Sequence, residues 1–273
     1  MLIKISTISL NIEVYSSGKK SPGIIFFFHG FTGSLEDWKQ IIPSIDPRFK
    51  IISVDLIGHG KSDSPNDVSL YSAKALVEQT SELIKKFGEG KIILSGYSMG
   101  ARAALLFAVK HPEMLEGLIL ESASAGIKEK SLRIERAKSD QHLAEYIESH
   151  PIEEFVDYWM NMDLFDSQKN LPKEKFASIR NSKLKNSQTG LANSLRGFST
   201  GKMPFLYDKI TKVKCRTLLI TGELDKKYTL INSEMLKKFP AADHQIIKNA
   251  GHNTHLEKPK DFARILNSFL SAY

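Results

Sequence analysis

The stretch Gly96-Tyr97-Ser98-Met99-Gly100 constrains this chain more than any other. It follows the apolar run Ile92-Ile93-Leu94, and residues 101–111 read as a helix. G-x-S-x-G between a strand and a helix is a nucleophile elbow. Its glycines permit a sharp turn that lifts the serine Oγ to the top of a sheet. The helix that follows aims its N-terminal N–H groups at any negative charge developing there. The pentapeptide alone is common by chance, so its surroundings decide its meaning.

Those surroundings alternate between strand and helix patterns. Residues 2–14 alternate apolar and polar and predict an antiparallel hairpin, followed by a turn at 16–20. Residues 24–28 and 51–54 are continuous apolar runs, as expected of strands buried on both faces. Ser34 is placed to cap a helix running to 42, with Asp37 at the capping-box position. Residues 70–87 have helical periodicity that stops at Gly88. Further strands are expected at 118–120, 217–220 and 245–248, and a last helix at 259–269 begins with Pro259. Between 127 and 208 there is no buried strand, only charged helical patterns such as 139–148 and 152–159. The expected organisation is an α/β core, 1–126 and 209–273, with 127–208 as a helical cap. The core sheet should be mostly parallel and flanked by helices. Ligands of such sheets bind at the carboxyl ends of the strands, where His29, Ser98, Ser122, Asp225 and His252 all fall.

A free serine hydroxyl is too weak a nucleophile or base at neutral pH and needs a partner. His252, just past the last strand, is the candidate base. Asp225, just past the strand at 217–220, is the candidate orienter that fixes the imidazole tautomer. His255 competes for the first role and Glu223 for the second. Position favours His252 and Asp225, leaving His255 as structural or pocket-lining and Glu223 as a scaffold contact. The oxyanion hole should be two backbone N–H groups: Met99, after the serine, and Phe31, in the loop His29-Gly30-Phe31. Gly58-His59-Gly60-Lys61-Ser62 lacks phosphate-loop spacing and reads as a tight turn.

The 273 residues suit one large α/β domain with an insertion. No apolar run approaches the roughly 20 residues of a membrane helix. The start Met1-Leu2-Ile3-Lys4-Ile5 does not read as a signal peptide, so a cytoplasmic protein without membrane insertion is expected. The single cysteine, Cys215, precedes an apolar strand and reads as a buried inert thiol. The formal charge is +7. The excess is lysine spread along the chain, as at Lys85-Lys86, Lys226-Lys227 and Lys237-Lys238. No basic stripe is interleaved with aromatics, which argues against nucleic-acid binding.

His29-Gly30-Phe31-Thr32-Gly33, Asp55-Leu-Ile-Gly-His-Gly-Lys-Ser62, the elbow, and Gly251-His252-Asn-Thr-His255-Leu-Glu257 together resemble the α/β-hydrolase superfamily. That resemblance implies the α/β-hydrolase fold with an eight-stranded sheet. Three further stretches resemble one family within it, the 2-succinyl-6-hydroxy-2,4-cyclohexadiene-1-carboxylate synthases of menaquinone biosynthesis. They are the elbow extended to Arg102; Arg133 to Asp140, followed by Phe155 to Trp159 and Leu164-Phe165; and Gly190 to Gly201.

The resemblance implies a lyase that eliminates pyruvate from 2-succinyl-5-enolpyruvyl-6-hydroxy-3-cyclohexene-1-carboxylate, without a metal or organic cofactor. Ser98, Asp225 and His252 would abstract the acidic proton beside the succinyl ketone. The substrate carries carboxylates on its ring, its succinyl arm and its enolpyruvyl group, so its site should be cationic and partly aromatic. Arg102, Arg136, Trp159 and Tyr97 are the implied contacts, with Lys183 or nearby Arg180 as a further cation. Arg133 and Arg196 read as structural. The rival reading is a serine hydrolase, a carboxylesterase or carbon–carbon bond hydrolase, acting on a small anionic substrate; a non-catalytic ligand binder is a third.

Overall fold

The apolar runs become the central strands of the computed structural model, which describes residues 1–16, 18, 21–87 and 90–273. Strands β1 (Leu2–Ile5) and β2 (Ile8–Tyr15) form the expected hairpin. Then come β3 (Gly23–Phe28), β4 (Lys50–Val54), β5 (Lys91–Tyr97), β6 (Gly117–Glu121), β7 (Arg216–Gly222) and β8 (Ala242–Ile247). They make one eight-stranded sheet in the order β1-β2-β4-β3-β5-β6-β7-β8. Only the β1–β2 and β2–β4 pairs are antiparallel. The order reverses between β3 and β5, so the carboxyl ends of these two strands flank a crevice, the place where such sheets take ligands.

The strand period of two divides the core. Phe26, Phe28 and Leu94 face one layer, with α1 (Ala73–Phe87), α2 (Met99–Lys110) and α7 (Lys226–Leu236). Ile25, Phe27 and Ile93 face the other, with Trp38 and α9 (Pro259–Leu270). Both faces of β3 are therefore covered, and its six residues are all buried. Cys215 is buried beside this core, and burial pushes its thiol up to about 11, as expected of an inert side chain.

Two expected helices differ. The capping box at Ser34 and Asp37 is present, but it starts a 3₁₀ turn, Leu35–Trp38, not a helix to 42. A second 3₁₀ turn, Ile42–Ser44, follows with Pro43 in it, whose missing N–H cannot serve an α-helical ladder. The pattern at 70–87 is also broken: a 3₁₀ turn, Val68–Tyr71, ends at extended Ser72 before α1 begins. The last strand begins earlier than expected, at Ala242. The turn read at 16–20 lies partly, and the stop at Gly88 wholly, outside the described residues.

Between β6 and β7 the chain is helical: α3 (Lys130–Ser149), α4 (Ile152–Met160), a 3₁₀ stretch Asp163–Asn170, α5 (Lys173–Lys183) and α6 (Gln188–Phe198). Phe155, Val156, Ile147, Ile179 and Leu191 give these helices a shared apolar cluster, which also takes in Leu256 and packs on Phe31. We propose that 127–208 is the cap on the core 1–126 and 209–273. Helix α6 meets the core backbone to backbone. A Cβ on Gly190 would lie 2.2 Å from the Gly58 carbonyl, and one on Gly58 would lie 2.7 Å from the Gly190 carbonyl. No helix among the described residues is long and apolar enough to cross a membrane.

Candidate active site

Ser98 stands between β5 and α2 with φ 49° and ψ −102°. That backbone conformation costs on the order of 1–3 kcal/mol for a residue with a side chain. It is held by Ser98 N–H donating to the Glu121 carbonyl at 2.9 Å, and by Arg102 N–H donating to the Ser98 carbonyl at 3.0 Å. The elbow glycines are fixed by contact. A Cβ on Gly96 would lie 2.4 Å from Gly100, and one on Gly100 would lie 2.3 Å from the Phe28 carbonyl.

The three strand-end residues converge. With its proton on Nδ1, His252 donates to Asp225 Oδ2 at 2.6 Å, leaving Nε2 to accept the Ser98 hydroxyl at 3.0 Å. Asp225 also caps α7, its Oδ1 accepting the Tyr228 N–H at 3.1 Å. His252 and Asp225 are buried, so the pair is shielded from water. The competitors lie elsewhere. Glu223 accepts the Asn249 N–H, a loop contact. His255 donates Nδ1–H to Glu121 Oε2 at 2.6 Å and stacks on Trp38 with centroids 4.0 Å apart.

Met99 is the first residue of α2, so its N–H has no acceptor within the helix. The Phe31 N–H has no acceptor among the described residues. The loop that carries it is well anchored. His29 Nε2 accepts the Leu56 N–H at 3.0 Å, so Nδ1 donates to the Gly30 carbonyl at 2.7 Å. Burial lowers the His29 pKa to about 4, keeping that neutral tautomer. Thr32, at φ 64°, receives two bonds from the end of α5 and the link to α6: Asn186 Nδ2 to its carbonyl and Lys183 Nζ to its hydroxyl, both 2.9 Å. Asn186 Oδ1 also accepts the Gly60 N–H at 2.8 Å, in the expected tight turn.

A narrow cavity of about 70 Å³, partly open to solvent, lies above Ser98 between α2 and the helices α4 and α6. Tyr97, Arg102, Arg136 and Trp159 line it together with Phe31, Ser98, Met99 and His252. Arg102 donates to the Phe198 carbonyl at 2.8 Å. Burial pushes its guanidinium down to about 10, still charged at neutral pH. Arg136 is held by Asp140 at 2.8 Å. Trp159 Nε1–H is buried without a partner among the described residues. Burial also raises the Tyr97 hydroxyl well above its ordinary range, so it is a neutral donor.

The further cations do not reach this cavity. Arg180 is turned outward into a bidentate pair with Asp157, at 2.6 and 2.8 Å. Lys183 spends its ammonium on Thr32, behind the Phe31 loop. The resemblance implied a further cation upstream of the run 190–201, at Lys183 or Arg180, but neither lines this cavity. Arg196, read as structural, pairs with Glu148, and Arg133 reaches the Ile127 carbonyl.

Sequence reasoning missed Tyr228 and the Ser199-Thr200 pair, which also line the cavity. Tyr228 packs 4.4 Å from the His252 ring. Its position three residues after Asp225, on the first turn of the helix that Asp225 caps, was the available signal. A second, open cleft lies outside. It shares Arg136, Trp159, Leu164 and Tyr228 with the cavity and adds Lys226 and Lys227.

Comparison with known proteins agrees with this architecture. The family described as alpha/beta hydrolase fold matches residues 23–259. A Bacillus subtilis protein provisionally named 2-succinyl-6-hydroxy-2,4-cyclohexadiene-1-carboxylate synthase is 37% identical over 95% of this chain and 94% of its own. An Enterobacter protein named as that synthase is 28% identical over 93% of this chain and 94% of its own. The structure of MenH from S. aureus superimposes with a TM-score of 0.92 at 31% identity, over 96% of this chain and 98% of that one.

Proposed function

Because the chain belongs to the α/β-hydrolase family, and within it to the family of its 2-succinyl-6-hydroxy-2,4-cyclohexadiene-1-carboxylate synthase relatives, we propose that it is a carbon–oxygen lyase. It eliminates pyruvate from 2-succinyl-5-enolpyruvyl-6-hydroxy-3-cyclohexene-1-carboxylate. The observation that carries the reading is one pocket lined both by Ser98 and His252, the latter backed by Asp225, and by two arginines, Arg102 and Arg136.

In this reading the geometry serves general-base chemistry. Carboxylates of the substrate meet Arg102 and Arg136, whose planar guanidinium groups suit them. That contact brings the acidic C–H beside the succinyl ketone to Ser98. The proton passes to His252 Nε2, through the Ser98 hydroxyl or directly. Asp225 on Nδ1–H stabilises the imidazolium that forms. The electron pair left behind becomes an enolate, whose oxygen takes the N–H groups of Phe31 and Met99. Such donors are each worth about 10²–10³ in rate. As the enolate collapses, the new double bond forms and the C–O bond to the enolpyruvyl group breaks. The departing group takes up a proton and becomes pyruvate, and no water is consumed. Trp159 Nε1–H and the Tyr97 hydroxyl are further donors to the bound anion.

The test is pyruvate release from the enolpyruvyl cyclohexene substrate by wild type, Ser98→Ala and His252→Ala. The expected result is release by wild type and a loss of at least about 10³-fold in both variants. No release, with rapid p-nitrophenyl ester cleavage in its place, would replace this reading with a hydrolase.

A further inference from the structure

A second carboxylate–imidazole pair lies directly beneath the first. Glu121 is the last residue of β6, and both it and His255 are fully buried. Glu121 Oε2 accepts His255 Nδ1–H at 2.6 Å. Its Oε1 accepts the His255 backbone N–H at 3.0 Å and the Thr254 hydroxyl at 2.7 Å. Its carbonyl accepts the Ser98 N–H at 2.9 Å. The next residue, Ser122, donates its hydroxyl to the His252 carbonyl at 2.7 Å. To do so it adopts φ 49°, as Ser98 does.

A buried carboxylate is costly unless every lone pair is used, and a turn such as 252–255 can be held by neutral groups. The bonds at Glu121 and Ser122 reach both the Ser98 amide and the His252 carbonyl, which holding the turn alone does not require. What these bonds accomplish is registry. The amide beneath the serine and four points on the histidine-bearing turn are all referred to two consecutive residues at one strand end. The His255 ring cannot swing aside to relax, because Trp38 stacks on it and Tyr97 stands edge-on at 5.2 Å.

We propose that Glu121 and Ser122 are positioning residues that set the spacing between Ser98 Oγ and His252 Nε2, with His255 as the arm through which Glu121 acts. The proposal rests on reading Ser98 and His252 as the reacting pair. A misplacement of about 1 Å in such a pair costs about 10² in rate.

The experiment compares kcat and KM for pyruvate release by Ser122→Ala, Glu121→Ala and Glu121→Gln, per folded enzyme as fixed by circular dichroism. Ser122→Ala, which removes one hydroxyl, is expected to lower kcat about 10-fold with KM within about twofold. Glu121→Ala is expected to lower kcat about 10²-fold, and Glu121→Gln, which keeps the Oε1 acceptor and the shape, to restore most of it. A role in folding alone would reduce the melting temperature and the folded yield while leaving kcat per folded molecule unchanged in all three. That outcome overturns the proposal, and Ser122→Ala decides it if Glu121→Ala does not fold. If Ser98→Ala and His252→Ala keep wild-type release, the underlying reading and this proposal fail together; if those two lose it and kcat of the clamp variants is unmoved, only this proposal fails.

Discussion

Arg102 spans the boundary between core and cap: from α2 it donates to the carbonyl of Phe198, the last residue of α6, at 2.8 Å. Its guanidinium also lies 5.3 Å from the Phe198 ring centre. One edge of the fork is thus fixed by the protein, and the rest lines the cavity. We predict that Arg102→Lys lowers kcat/KM for the enolpyruvyl substrate by about 10–10²-fold, because an ammonium cannot bond Phe198 and a carboxylate in one plane. Steady-state kinetics decides it; a lysine variant equal to wild type would remove Arg102 from substrate recognition. Burial has brought this group down to about 10. At neutral pH the group remains a cation, so the lysine comparison isolates fork geometry from charge.

Asn186 joins two core loops that do not touch it in sequence, bonding the Thr32 carbonyl and the Gly60 N–H. Asn186→Ala should loosen the Phe31 N–H, lowering kcat by about 10-fold or more, and should cost about 1–3 kcal/mol for the groups left unpaired. Thermal melts and kinetics together test this. A stability loss with kcat intact would show that the loop holds its shape unaided.

Lys226 and Lys227 stand on the outer cleft that shares its inner wall with the cavity. For a polycarboxylate substrate, kcat/KM should fall with ionic strength, and Lys226→Gln/Lys227→Gln should flatten that dependence and lower the low-salt value several-fold. The loss should sit in KM. A salt dependence identical to wild type would show that approach to the site does not pass these lysines.

Mild acid should destabilise the fold through buried histidines. His29 and His59 are buried neutral, lowered by burial from 6.5 to about 4 and about 3. Above pH 6.5 neither native nor unfolded chain protonates them, and their effect is nil. As pH falls below 6.5 the unfolded chain takes up protons that the native one refuses, so stability declines. For His29 the decline continues to about pH 4 and amounts to on the order of 3 kcal/mol. Melting temperatures from pH 7 to 4 measure it, and His29→Gln should reduce the slope.

The core was legible because its signals are local. A strand buried on both faces must be a continuous apolar run, and β3, β5 and β7 are such runs. The elbow advertises itself through glycines that contact decides. The order of Ser98, Asp225 and His252 followed from their places after strands. Less could be read where packing between distant segments governs. Arg180 and Lys183 share the last turn of α5, yet one faces solvent and the other the back of the Phe31 loop. Nothing in the spacing of 180 and 183 says where α5 ends relative to residue 32. The 3₁₀ turns at 35–38 and 42–44 have helical composition, and only Pro43 and the path to β4 shorten them.

The contact of Gly58 with Gly190 has a consequence for any attempt to exchange caps among relatives. At that point there is no side-chain layer to absorb a mismatch, since each carbonyl rests where the other residue's Cβ would be. Gly197 likewise packs tightly on Tyr71, against its Cβ and backbone. Mechanically, α6 is therefore riveted to the sheet domain although its sequence lies in the insertion. A transplanted lid would have to bring its own loop after β4, or be cut from the donor before α6.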